Sequence, residues 1–191
     1  HAHGVCYDPW DDAFYVIEGH STFKGVYRSH DDGNTWNKIH AEVVPGNYPT
    51  NIIATDNGLI LASDANQQRG LHIIKRPVDR ADWQSMEMEF FFEIQDNLLL
   101  QSTGIIGFGA GWYRDPATGV VWIGWRNSEA PHPFLTATDG KHAALVYVEH
   151  DEIGSASNPG IGEIFSYRDE IGFTVIDGTG SRVKSARAKA N

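Results

Sequence analysis

His1 and His3 stand two residues apart, so on an extended strand their side chains share one face. Glu18 and His20 close the next apolar run, and a hairpin between the runs would gather three imidazoles and a carboxylate at one end. Imidazole and carboxylate are the groups that bind metal ions or exchange protons near neutral pH, so metal-binding or acid–base chemistry is what this set could do. His3, Glu18 and His20 are therefore the catalytic candidates. A second set is aromatic and basic: Trp112-Tyr113-Arg114, then Trp122 and Trp125-Arg126. Flat rings beside forked guanidinium donors can stack on sugar rings and hold their hydroxyls or carboxylates. Trp112, Tyr113, Arg114, Trp125 and Arg126 are the ligand-binding candidates, with Trp112 and Tyr113 expected on a loop after a glycine-rich stretch. Trp122 and Trp125 cannot point the same way on a regular strand, so one of the two indoles belongs to the core.

The elements that must position these residues read as strands. His3 to Tyr7 and Ala13 to Glu18 flank the turn Asp8-Pro9-Trp10-Asp11-Asp12, and Gly25 to Arg28 and Trp36 to Ile39 complete a four-stranded meander. The same grammar returns from Asn51 to about Phe92, with Asp56-Asn57-Gly58 as a hairpin signal. Phe90 to Leu100 reads as a strand pair or a link. A third unit runs through Gly104 to Phe108, Val120 to Trp125, Phe134 to Thr138 and Ala143 to Val148. A poorer fourth covers Gly162 to Tyr167 and Gly172 to Ile176. A repeat of roughly 45 to 55 residues, each a four-stranded meander, predicts an all-β fold of propeller type. About 3 to 4 blades are visible, where closed propellers carry about 4–8.

Between the third and fourth strands of the first unit lies Ser29-His30-Asp31-Asp32-Gly33-Asn34-Thr35-Trp36. Asp31 can accept backbone N–H groups of a turn, and Gly33 can take a positive φ. The hydroxyls of Ser29 and Thr35 can tie the arms, with Trp36 packed beneath the turn. Ser-x-Asp-x-Gly-x-Thr-Trp resembles the Asp-box of the BNR-repeat, sialidase-like β-propellers of bacteria and their phages. Thr138-Asp139-Gly140-Lys141 sits where a shortened copy would fall, and Pro77 to Asp82 is a decayed copy that keeps only the aromatic Trp83. The resemblance implies a structural role for Ser29, Asp31, Gly33, Thr35 and Trp36, and a functional site on the face opposite this turn. It also implies a glycan-recognising module of a secreted or virion-associated protein, such as a tail protein or adhesin. A glycoside hydrolase or polysaccharide lyase completed by further blades is one alternative, and a structural propeller that binds protein is another. The arginine cluster of a sialidase is not evident, because Arg28, Arg69, Arg114, Arg126 and Arg168 are spread along the chain and no Phe-Arg-Ile-Pro-like motif is present.

Composition narrows the partners. With 191 residues and a formal net charge of −10, the chain lacks the basic surface that neutralises phosphates, so no nucleic-acid partner is expected. No stretch approaches the ~20 apolar residues of a membrane span. The single cysteine, Cys6, excludes an intrachain disulfide and a Cys-based zinc site; no cofactor or resident metal is expected. The opening residues read as already inside a strand, from which we expect part of a larger chain or a homo-oligomer. Residues 1–180 are expected to form the propeller domain and 181–191 a flexible or partner-docked tail.

Overall fold

The computed structural model describes residues 2–19, 24–40, 49–63, 70–93, 109–125, 134–148, 160–167, 170–177 and 180–186. The chain divides into two compact units, His1–Glu93 and Ile94–Asn191, each built of two antiparallel meanders.

In the first unit β1 (Ala2–Asp8), β2 (Ala13–Glu18), β3 (Gly25–Ser29) and β4 (Asn37–His40) pair in sequence order. Aromatic and β-branched residues alternate along β2, and burial follows them: Ala13, Tyr15 and Ile17 are buried, whereas Phe14, Val16 and Glu18 are half-exposed. The buried row joins Val26 and Ile39 of its own sheet. It packs on Ile52, Ala54, Leu59 and Leu61 of β5 (Pro49–Thr55) and β6 (Gly58–Ser63). β7 (Gly70–Ile74) and β8 (Met88–Glu93) complete that second sheet. The two-residue loop Asp56-Asn57 joins β5 to β6 as the hairpin signal requires, with Thr55 opposite Gly58. The apolar run at Phe90 resolves into one strand, the fourth of its sheet, ending at Glu93; residues 94–100 lie outside the described residues.

The second unit holds β9 (Gly109–Arg114), β10 (Val121–Trp125), β11 (Phe134–Thr138) and β12 (Ala143–Val148). Beside them a three-stranded sheet comprises β13 (Gly160–Tyr167), β14 (Glu170–Asp177) and β15 (Gly180–Ala186). Trp122 and Leu135 pack with Ile161, Ile164, Ile171, Phe173 and Val175 to form this unit's core. The first strand of this unit was expected at Gly104 to Phe108, which lies outside the described residues, but the strand paired with β10 is Gly109–Arg114. Trp112 and Tyr113 are therefore strand residues and not loop residues. Within the stretch read as a tail, Ser181–Ala186 belong to β15 and pair with β14. Backbone pairing asks for no apolar face, which is why a small and basic sequence can extend a sheet.

Candidate functional site

The turn between β3 and β4 is organised by one carboxylate. Asp31 Oδ1 accepts from the Ser29 hydroxyl at 2.8 Å and from the Thr35 N–H at 2.9 Å, while Oδ2 accepts from the Thr35 hydroxyl at 2.6 Å. Ser29 Oγ in turn accepts from the Gly33 N–H at 2.9 Å. The chain reverses through two left-handed residues, Asp32 at φ 57° and Gly33 at φ 84°, where only the second had been expected. Hydrogen bonds from Thr35 and then Ser29 hold the Asp31 carboxyl at about 2, below its ordinary 3.8. Trp36 packs on the turn, donating its indole N–H to the Gly33 carbonyl at 3.0 Å, and stays 41% exposed. The equivalent connection in the second unit, between β11 and β12, repeats the device in shorter form. Asp139 Oδ1 accepts from the N–H groups of Lys141 and His142 at 2.7 and 2.6 Å, and Gly140 takes φ 86°.

Beside the first turn opens a cleft of about 410 Å³ lined by Asp11, Asp12, Arg28, His30, Arg80, Ala81 and Trp83. Its floor is a buried ion pair. Arg28 Nε and Nη2 donate to the two oxygens of Asp11 at 2.7 and 3.1 Å, and the Tyr15 hydroxyl donates to Asp11 Oδ2 at 2.6 Å. Burial opposes ionisation of Asp11, but the hydrogen bonds from Arg28 and Tyr15 outweigh it, so its carboxyl stays below the usual carboxylate range. Burial pushes the Tyr15 hydroxyl far up, and its bond to the Asp11 carboxylate adds to this. One wall comes from the 3-10 helix Arg80–Ser85, which replaces a simple turn between β7 and β8. Asp79 caps that helix through the Ala81 N–H at 2.9 Å, and Arg80 donates to the Trp10 carbonyl. Trp83 is half-buried against the unit's core, and the Arg28 guanidinium lies 5.9 Å from the centre of its ring. Asp12, which also lines the cleft, has φ 51°, is exposed and accepts from the Tyr7 hydroxyl at 2.7 Å.

The structure describes some of the residues chosen from the sequence. His1, His20 and Arg126 lie outside the described residues. His3 and Glu18 share one end of the β1–β2 hairpin, where a register shift between Ala2 and Gly4 breaks the simple alternation. The His3 ring fills the space over Gly19, so that a Cβ there would overlap it, and its Nδ1 lies 3.1 Å from the Pro49 carbonyl. Among the described residues no three His, Cys, Asp or Glu side chains gather as metal ligands. Trp112 and Arg114 take one face of β9 and Tyr113 the other, where the Tyr113 hydroxyl lies 2.7 Å from Ser166 Oγ. Trp125 is a correction: it is fully buried and its indole N–H donates to Thr136 Oγ1 at 2.8 Å, so it presents no surface to a ligand. Trp122 is buried as well, because β10 is covered on both faces.

The cleft lies near the Asp31 turn, whereas the sequence directed attention to the opposite face. Asp11 was legible only as a turn residue and Arg28 only as one of several scattered arginines. A usable signal did exist: Tyr15, Arg28 and the turn carboxylates fall where a four-stranded meander folds strand ends onto one another.

No family model and no curated protein sequence matches the chain. Among solved structures, it is similar to one described as the crystal structure of a nidogen/laminin complex. That match has a TM-score of 0.53 and 11% sequence identity, and it covers 93% of this chain and 76% of that one. The fold is a β-propeller. At this identity the likeness is one of fold and does not distinguish the BNR or sialidase type.

Proposed function

We propose that this β-propeller is a non-catalytic recognition module whose ligand is a glycan, and that the cleft beside the Asp31 turn receives it. The observation that carries this reading is the make-up of the cleft. Its walls are of two kinds: the Trp83 indole beside the buried Asp11–Arg28 pair, and polar side chains, with Asp12 as an exposed carboxylate and Arg80 and His30 as basic groups. A sugar ring offers an apolar face to an indole and hydroxyls to carboxylate and guanidinium groups, so one pyranose matches both kinds of wall. With a net charge of −10 the long-range field opposes polyanions, which favours a neutral glycan. The hydrogen-bonded Ser29–Trp36 turn supports the BNR-type assignment, and an extracellular or virion-associated setting is part of the same proposal.

The test is a glycan array together with a turnover assay on the glycans retained. Binding without release of new reducing ends supports the proposal; turnover would turn it to the hydrolase or lyase reading. A protein ligand is the second reading, favoured by the exposed Val5, Tyr7 and Trp36 on the first sheet and its turn. An array with no bound glycan would favour it.

A further inference from the structure

Burial differs sharply between the two sheets of the first unit. The second sheet buries residues of both faces, Leu59 and Leu61 on one and Ile60 and Ala62 on the other. The first sheet buries mainly the face that carries Tyr15 and Ile17, although Gly25 and Ser29, at the ends of β3, are also buried. Its other face presents a cross-strand row, Val5, Val16, Tyr27 and Lys38, in direct register across all four strands. Val5 is 64% exposed, and two residues on Tyr7, 48% exposed, meets Phe14 with ring centroids 5.2 Å apart and planes tilted by 50°. Lys38 lies 5.8 Å over the Tyr27 ring and closes the row with a positive charge. Such a row has the composition of a sheet face that packs on another sheet, since apolar β-branched and aromatic pairs gain most when covered.

A complementary face exists in the second unit. On β13, Glu163 and Phe165 are exposed one strand period apart, and the Phe165 ring lies across Gly172 of β14, where a Cβ would collide with it. The ring covers Gly172, and Glu163 brings an exposed carboxylate two residues before it, next to a register shift between Ile161 and Ile164. We propose that the chain self-associates head to tail, the apolar row of the first sheet in one copy receiving the Glu163–Phe165 face of a second. The occupant is chosen by chemistry: an aromatic ring for the Val5–Tyr27 row, and a carboxylate for Lys38 at its end. The contact is heterologous, because different faces of the two copies meet.

Sedimentation velocity of the 191-residue chain over a micromolar concentration series tests this. The expected result is reversible association that Val5→Asp weakens at least about tenfold, with an unchanged melting temperature because Val5 is exposed. Lys38→Glu should weaken it too, and Lys38→Glu combined with Glu163→Lys should restore it. A single monomeric species throughout the series, or association indifferent to both Val5→Asp and Lys38→Glu in folded protein, would overturn the proposal. Glycan binding by Val5→Asp is expected to match the wild type, which keeps this test separate from that of the cleft.

Discussion

Asp31 shows how one side chain fixes a turn. Its carboxylate takes up three donors that would otherwise point to water or compete for other partners. Because its folded pKa is depressed, the stability it supplies is fully present above the ordinary value of 3.8 and is lost as the pH falls toward about 2. Thermal unfolding of the wild type and of Asp31→Asn should therefore differ most at neutral pH, and the two curves should converge through that window. Arg28 works differently, since its partner is buried. Removing it as Arg28→Ala strands the Asp11 carboxylate and should cost about 3–5 kcal/mol in denaturant unfolding. These two residues also mark what was legible. The Asp31 turn is local, five defined positions within eight residues, and Asp31 as an acceptor of backbone N–H and Gly33 as a left-handed residue could be read before any fold was known. The Asp11–Arg28 pair spans 17 residues and forms only when β1 to β3 fold into a meander, so residue types alone could not pair them.

The strands were legible where the period-two pattern was clean, as in β2, and less so where registers shift. β1 shifts between Ala2 and Gly4, at His3, whose Nδ1 lies 3.1 Å from the Pro49 carbonyl, while His1 and His20 of the expected set lie outside the described residues. The aromatic cluster of β9 divides between two faces, Trp112 and Arg114 on one and Tyr113 on the other. Consecutive residues on a strand face opposite ways, so Trp112-Tyr113-Arg114 cannot act as one surface. Trp125 could not be separated from Trp122 by spacing, because burial on both faces of β10 leaves no alternation to read. Packing between sheets carries the stability of these elements. Leu61 is wholly buried in the first unit's core, and Leu61→Ala is expected to cost about 2–5 kcal/mol in denaturant unfolding.

For the whole molecule, repeat counting reached the fold: antiparallel meanders of four, four, four and three strands among the described residues, in the propeller class. It did not reach the site, because the 3-10 helix between β7 and β8 replaces the expected turn and carries Arg80 and Trp83 to the cleft wall. A recognition role for an acidic propeller of this kind predicts affinity for a neutral glycan that changes little with ionic strength, since stacking and short hydrogen bonds are weakly screened. The most direct test is calorimetric titration of an array-selected glycan into the wild type and the double variant Asp12→Asn, Arg80→Ala. Both side chains are exposed, the amide oxygen introduced by Asp12→Asn can still accept from Tyr7, and the bond lost from Arg80 to the Trp10 carbonyl is at the surface, so the protein should stay folded. The account predicts a loss of affinity of at least about tenfold, near 1.4 kcal/mol, in folded protein. Equal affinity in the folded double variant would contradict it.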